Sequence, residues 1–423
     1  MCIDWKQEIK YLLRKEQERQ ENELTLIASE NYASKDVLEA CGSCIQNKYS
    51  EGYPGKRYYG GCEVVDTIEK SVKQLVNKAF KTTYSNVQSH CGSSANLAVY
   101  LAATKYFKCE PNKLTIISHS LDAGAHLTHG AKVSVSGTWF KTQQLELNGC
   151  EFNYKGLEEA LTNLCGPAVV VVGFSAYPRE VHYDKISKII KDSEKEVIVL
   201  CDVSHIAGLI VTGYHKNPVD YDWGKSKVVI TSTVHKTLRG ARHAVITTND
   251  ETLAKLIDKS VFPGLNGGPL QNMIAGTGIA FAESLSPEFK AYIGRVLANR
   301  LMMEMVFEQR GIKMVSGGSD THMLLLDLRS TGLTGKQAED LLAEYGIITN
   351  KNTIPGDMRP KSETSGLRIG TPAITTRGLE VEDCYTLANH IADILLGKVK
   401  DKQALKDYIK TLCKNHPIYP VDK

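Results

Sequence analysis

No apolar run in the 423 residues approaches the roughly 18 needed to cross a bilayer as a helix, so no transmembrane helix is expected. The opening Met1 to Lys6 lacks an apolar signal core, which argues against secretion. Charge of one sign is not in excess either. Lysine and arginine number 51 against 48 acidic residues, a formal +3, whereas a dedicated nucleic-acid binder carries a clustered basic surplus. Neither nucleic acid nor membrane is therefore expected as a partner. There is no internal repeat and no low-complexity segment. The 11 cysteines are odd in number and scattered, without disulfide-framework spacing. They read as reduced thiols of a cytoplasmic protein. What is present is length: a chain 42% hydrophobic and longer than one ordinary domain predicts two or three compact units.

Residues 5–22 place Ile9, Leu12 and Leu13 on one face at helical spacing, which predicts an amphipathic amino-terminal helix. Residues 47–62 combine Tyr49, Tyr53, Tyr58 and Tyr59 with several glycines and read as an ordered, functional loop without regular structure. From about 85 to 250, short runs rich in valine and isoleucine alternate with helix-like stretches. The runs are Leu114–Ile117, Ala168–Val172, Val197–Leu200, Val228–Ile230 and Ala244–Ile246. They suit strands buried on both faces and predict an α/β unit with a mostly parallel central sheet. A helix near 288–309 leads to a smaller α+β region, with strands at Met323–Leu328 and Leu367–Ile369 and helices over 335–345 and 380–396. Residues 398–416 read as a solvated, lysine-rich surface helix.

In such sheets ligands gather at the carboxyl ends of strands. One run ends in Asp202, a carboxylate that is costly there without a cationic partner. Another ends in Thr233-Val234-His235-Lys236, where partial desolvation would make the lysine nucleophilic. Cys91-Gly92-Ser93-Ser94 opens a helix placed near Ala95, a phosphate-binding start. Singly, each has an ordinary explanation: a buried salt bridge, a surface lysine, a helix cap. Together they match the needs of pyridoxal phosphate: a Schiff-base lysine, a carboxylate for the pyridinium nitrogen and a phosphate anchor. His126 follows the first strand and could stack on the cofactor ring, and His205 could border it. His126 and His129 also have the spacing of a metal pair on a helix, but no third ligand accompanies them, so no metal is expected. Cys41 and Cys44, a lone C-x-x-C within a predicted helix, read as two packed thiols.

Several longer motifs resemble the serine hydroxymethyltransferase family. They are Leu26-Ile27-Ala28-Ser29-Glu30-Asn31-Tyr32, the Tyr49–Gly61 loop, His126-Leu127-Thr128-His129-Gly130, Thr233-Val234-His235-Lys236-Thr237-Leu238, Gly267-Gly268-Pro269 and Ser365–Ala373. The resemblance runs from about residue 5 to 395. It implies a fold-type I pyridoxal-phosphate transferase that interconverts L-serine and glycine with tetrahydrofolate as co-substrate, in a homodimer with shared active sites. By the same resemblance, Lys236 is the Schiff-base lysine, with His235 and Thr233 beside it in the catalytic set, and Asp202 pairs with the pyridinium. Gly92 and Ser93 hold the phosphate, with Tyr49 and Gly268 from the partner subunit. His126 stacks on the ring, and Ser175 and His205 border its phenolic oxygen. Arg368 clamps the substrate carboxylate, a bidentate task suited to arginine, assisted by Ser29 and Tyr59. Glu51 and Tyr59 from the partner serve proton transfer and the hydroxymethyl group. Leu121, Ala125, Leu127 and Asn352 contact folate.

The chain departs from the family pattern at Cys91, at Gly240-Ala241-Arg242-His243-Ala244, at Ala125 and at Pro360-Lys361-Ser362. Two of these lie on the folate side, which keeps alternatives open: a folate-independent aldolase or transferase acting on threonine-type or α-substituted β-hydroxy amino acids, or a silent, nucleic-acid-binding homologue. Retention of Lys236, Asp202, Glu51, Tyr59 and Arg368 argues against the last. The expected organisation is an amino-terminal helical arm over 1–46, a large cofactor domain over 47–284 and a small domain over 285–423. Cys62, Cys91 and Cys201 border the expected site.

Overall fold

The computed structural model of the chain describes residues 3–420. They fall into two compact units, one of Ala33–Ile293 and one joining the residues up to Tyr32 with those from Gly294 onward. Four helices matter below: α1 (Trp5–Asn22), α2 (Gly92–Tyr106), α3 (Pro287–Gln309) and α4 (Lys402–Asn415).

Seven strands form the sheet of the first unit. They are β1 (Tyr84–Asn86), β2 (Thr115–His119), β3 (Lys141–Leu145), β4 (Ala168–Gly173), β5 (Ile198–Asp202), β6 (Lys227–Thr233) and β7 (Ala244–Thr248). Their spatial order is β1-β7-β6-β5-β4-β2-β3. The five from β6 to β3 run parallel, and β7 pairs antiparallel with both β6 and β1. Every residue of β4 is buried, which explains four consecutive valines with no alternation: helices cover both faces. On α2, Ala95, Ala98, Val99, Ala102 and Ala103 pack with Ile116, Val169, Val171, Ile198, Leu200 and Val229. Burial of each large aliphatic side chain contributes about 1.5–3 kcal/mol, and the alanines let the helix sit close to the sheet. Because β2, β4, β5 and β6 are parallel, the residues that follow them emerge at one edge: 120–129, Ser175, Asp202 itself and Lys236.

Two strands of this sheet, β1 and β3, have no counterpart in the apolar pattern. In β3 the first four residues, Lys-Thr-Gln-Gln, are exposed, as an edge strand allows. Residues 47–62 are not wholly irregular either: Gly52–Tyr53 pairs with Lys56–Arg57 in a short hairpin, turned through Gly52 and Gly55 at φ of +94° and +79°. Cys41 and Cys44 do not share a helix. Cys41 ends the helix Lys35–Cys41, and exposed Cys44 opens the next turn.

The second unit carries an antiparallel sheet of β8 (Lys313–Met314), β9 (Met323–Asp327), β10 (Asn350–Asn352) and β11 (Gly366–Gly370), in the order β8-β9-β11-β10. The arm read over 1–46 is divided, since residues 3–32 group with this unit and 33–46 with the other; the boundary falls inside α3. Buried Arg377 gives a physical reason. Its guanidinium donates to the carbonyls of Gln20, Glu21 and Glu23, and also to those of Cys413 and His416. A cation thus meets the orphan carbonyls at the end of α1. The face of α1 expected to be apolar exists, but Trp5, Ile9, Leu12 and Leu13 are each more than half exposed in the single chain. α4 is not merely a solvated helix. Leu405, Ile409, Leu412 and Cys413 are buried in the core of this unit.

Candidate functional site

Asp202 closes β5 opposite Gly173 of β4 and Thr231 of β6. A Cβ on Gly173 would lie 2.5 Å from the Asp202 carbonyl oxygen, so only glycine lets β4 pass. The Asp202 Oδ2 accepts from Asn96 Nδ2 at 2.8 Å and lies 3.0 Å from His129 Nε2, while Oδ1 accepts from the Ser204 N–H at 3.1 Å. Burial by itself would raise this carboxyl. The His129 contact, the nearby Lys236 charge and the Ser204 side chain outweigh burial and hold the carboxyl far below the carboxylate range. Asn96 is held in turn by Thr231, which donates at 2.7 Å, and reaches Thr128 Oγ1 at 2.9 Å. Thr128 Oγ1 lies 2.7 Å from His126 Nδ1. One hydrogen-bonded network thus fixes His126, Thr128, Asn96, Asp202 and His129.

The first turn of α2 meets this network because Asn96 lies on the same helix. A Cβ on Gly92 would come within 2.8 Å of Thr233 Cγ2. Glycine therefore permits the start of α2, with Gly92 and Ser93, to approach the end of β6 and the half-buried Lys236 beyond it. The helix begins at Gly92 rather than near Ala95, and Ser94 Oγ accepts from the Cys91 N–H at 3.1 Å. Thr233 N–H donates to Ser204 Oγ at 3.0 Å, and Thr237 Oγ1 donates to the backbone oxygen of His205 at 3.1 Å. Ser175 N–H donates to the Gly124 carbonyl at 2.7 Å, which ties the loop carrying Leu121, Ala125, His126 and Leu127 to the end of β4. His126 and His129 lie in turns, not on a helix, and the ring of His129 faces Asp202. Among the described residues no group of three His, Cys, Asp or Glu could hold a metal. Cys201 is buried directly before Asp202, Cys62 is buried and Cys91 is exposed.

A second cluster in this unit gathers Tyr49, Glu51, Tyr59 and Gly268. The Tyr49 and Tyr59 rings meet edge to face at 5.1 Å. A Cβ on Gly268 would touch Tyr49 Cε1 at 3.3 Å, and one on Gly267 would sit 3.2 Å from Glu51 Oε1. An open pocket of about 580 Å³ is lined by Glu51, Tyr58, Phe262, Pro263, Leu265, Asn266 and Gly267. Neither Lys236 nor Asp202 lines it.

The remaining expected residues belong to the second unit. Arg368 lies on β11 opposite Asn350, whose Oδ1 accepts from its Nε at 3.2 Å. Burial lowers the guanidinium to about 10, still cationic near neutrality. Gly370, two residues on, would bring a Cβ within 2.4 Å of Ala28 Cα, so the segment preceding Ser29 runs against the end of the arginine strand. Asn352 is on β10 opposite Gly366, and Pro360, Lys361 and Ser362 are exposed.

A pyridoxal phosphate would fit the groups of the first unit. Asp202 Oδ1 keeps a lone pair for a protonated ring nitrogen, and α2 offers first-turn N–H groups to a phosphate. The buried Thr233 Oγ1 and His235 Nδ1 have no hydrogen-bond partner among the described residues, which a bound polar group would supply. Asn96, Thr128 and His129 were not singled out from the sequence as partners of the carboxylate. His129 stood beside His126 in a quoted motif, but 73 and 106 residues separate the contacts to Asp202.

Burial holds His119 and His126 at about 4 and His235 and His243 at about 3, against about 6.5 for free imidazole. The unfolded chain takes up these protons below about pH 6.5, whereas the fold does so only near 4 or 3. Stability is therefore full above about pH 6.5 and is lost as pH falls toward 4, by up to about 2 kcal/mol at pH 5 for a fully buried ring. Calorimetry should show a Tm several degrees lower at pH 5 than at 7.5, with a smaller drop in His243→Gln; a flat profile would contradict the burial argument.

A mostly parallel, doubly covered sheet with a second α+β unit, and a lysine just past a strand on the same edge as an aspartate, are what a fold-type I pyridoxal-phosphate enzyme requires. The serine hydroxymethyltransferase family model matches residues 3–391. The chain is 45% identical to serine hydroxymethyltransferase 2 of Ralstonia nicotianae over 97% of this chain and 96% of that protein. It is also 45% identical to the serine hydroxymethyltransferase of Coprothermobacter proteolyticus, with the same coverage, and 44% identical to that of Rippkaea orientalis over 97% and 94%. The chain belongs to the serine hydroxymethyltransferase family. Its chemistry is pyridoxal-phosphate-dependent one-carbon transfer between L-serine and glycine, with tetrahydrofolate as co-substrate.

Proposed function

We propose that this chemistry runs on Lys236 and Asp202, and the observation that carries the assignment is Asp202 at the end of β5, held by Asn96, His129 and Ser204 on the sheet edge where Lys236 follows β6. Lys236 would hold the cofactor covalently, and Asp202 would keep a proton on its ring nitrogen. Bound pyridoxal phosphate supplies a sink for the electron pair left when a bond to the amino-acid α-carbon breaks. Gly92 and Ser93 hold the phosphate, with Tyr49 and Gly268 of a second chain. His126, kept neutral by burial, would lie against the cofactor, and Ser175, His205, Thr233 and His235 would complete its polar border. Arg368 binds the substrate carboxylate bidentately, assisted by Ser29. Glu51 takes and returns the proton of the serine hydroxyl, and Tyr59 orients the hydroxymethyl group. Leu121, Ala125, Leu127 and Asn352 receive the folate.

The working form is a homodimer with shared sites in the cytoplasm. Support comes from the separate clustering of Tyr49, Glu51, Tyr59 and Gly268 and from the exposed apolar face of α1. The ten described cysteines, all free, suit a reducing compartment. Chains carrying Lys236→Ala and chains carrying Glu51→Gln, each strongly impaired alone, should on subunit exchange recover about a quarter of parental turnover. Half of randomly paired dimers are mixed, and each mixed dimer has one intact site. No recovery in a preparation whose mixed dimers are confirmed by native mass spectrometry would overturn the shared site.

A further inference from the structure

Glu51 sits between two residues whose carbonyls are held by one buried side chain. Arg57, on the return strand of the hairpin, donates through Nη1 to the Ser50 oxygen at 2.8 Å and to the Gly52 oxygen at 2.6 Å. Its Nε and Nη2 are spent on Asp66 at 2.8 Å and Glu69 at 2.7 Å, both on the helix Glu63–Phe80. The Arg57 side chain is 4% exposed and that of Glu69 is 1%. Further bonds close the cradle. Gln88 Nε2 donates to the Gly52 oxygen at 3.0 Å and to Glu69 at 2.8 Å, Gln271 Nε2 donates to Ser50 Oγ at 2.9 Å, and the Tyr58 N–H donates to the Glu51 oxygen at 3.0 Å. Three successive carbonyls, those of residues 50, 51 and 52, are thus pinned, and two of the three by a single guanidinium. The Glu51 side chain is left to line the open pocket beside Gly267.

A buried ion-paired triad is poor evidence of added stability, because desolvation offsets the attraction. Its geometry explains it better. A planar fork with fixed donor directions can hold two carbonyls and two carboxylates at once, which an ammonium cannot. Gly52, at φ +94°, has no side chain to restrain its own backbone, so without the fork the chain at Glu51 gains freedom.

We propose that Arg57 is a positioning residue for the known reaction: it fixes the backbone on both sides of Glu51 and so sets where that carboxylate meets serine. The inference rests on the role given to Glu51 above. A misplacement of about 1 Å can cost on the order of 100-fold. Arg57→Lys, which keeps the charge, should lower kcat for serine cleavage roughly 10- to 100-fold, change KM for serine less than about threefold and keep the cofactor absorption of the parent. Amide hydrogen exchange at residues 51–53 should speed up by at least about 10-fold while exchange in β4 and β5 stays as in the parent. In Arg57→Lys/Glu51→Gln the loss should be no larger than in Glu51→Gln alone, since both act through one carboxylate. Multiplying losses, or a lowered Tm with kcat kept, would overturn the proposal. Should Arg57→Lys fold poorly, Arg57→Gln/Glu69→Gln removes the two most deeply buried charges of the triad together and must show the same kcat loss and exchange pattern. If Glu51→Gln alone keeps full turnover, the role of Glu51 fails, while the exchange at 51–53 still decides whether Arg57 holds that backbone.

Discussion

Lys236→Ala is expected to lower serine cleavage by about 10³-fold or more and to release the cofactor from covalent attachment. Borohydride reduction of the parent should add the cofactor mass to the peptide containing Lys236, and the variant should show no such adduct anywhere. The position explains the size of the effect. Lys236 stands three residues beyond the last strand pair of β6, Thr233 with Ala244, on the same sheet edge as Asp202. Among the described residues no other lysine lies within five residues after a strand of that edge. The fold should survive, because Asp202 keeps its bonds to Asn96 and Ser204 and its contact with His129. Circular dichroism and Tm should stay close to the parent. An adduct on another lysine, or turnover within tenfold of the parent, would refute the assignment.

Asp202→Asn should lower kcat/KM for serine about 10²- to 10³-fold, equivalent to about 2.7–4 kcal/mol of lost electrostatic stabilisation. The amide is nearly isosteric, so the loss is chemical. In the parent, Oδ2 takes the Asn96 donor and faces His129 Nε2, and Oδ1 takes the Ser204 N–H. An asparagine has one oxygen for these two positions. If the oxygen stays with Asn96 and His129, its NH₂ faces the Ser204 N–H and the place where a protonated ring nitrogen would be held. The opposite orientation sets donor against donor at Asn96. Either way the negative charge that balances Lys236 is gone. The variant should still bind cofactor through α2 and Lys236. Turnover within threefold of the parent would show that the carboxylate is structural.

How much of this was legible in the sequence follows from which contacts are local. The valines of β4 announce a doubly covered strand because burial on both faces removes alternation. Asp202 and Lys236 stood out because a charge at the end of an apolar run needs a reason. The edge strands β1 and β3 were not legible: three residues in one, and exposed Lys-Thr-Gln-Gln in the other, carry no apolar period. Nor was the division of the arm, which depends on Arg377 reaching carbonyls more than 350 residues earlier in the chain. The cradle around Asp202 is built of Asn96, Thr128 and His129, polar residues whose spacing suits many turns and helices. Arg57 looked like one charge in a glycine-tyrosine loop, and only folding shows it buried between two carboxylates. His243, unexpected against the family pattern, is fully buried with Nδ1 3.3 Å from Thr277 Oγ1.

The most direct test is a visible-absorption titration of the purified holoenzyme with glycine, with and without tetrahydrofolate. A long-wavelength band should appear with glycine, grow several-fold when tetrahydrofolate is added, and be absent in Lys236→Ala. A spectrum indifferent to tetrahydrofolate, accompanied by threonine cleavage faster than serine cleavage, would contradict it.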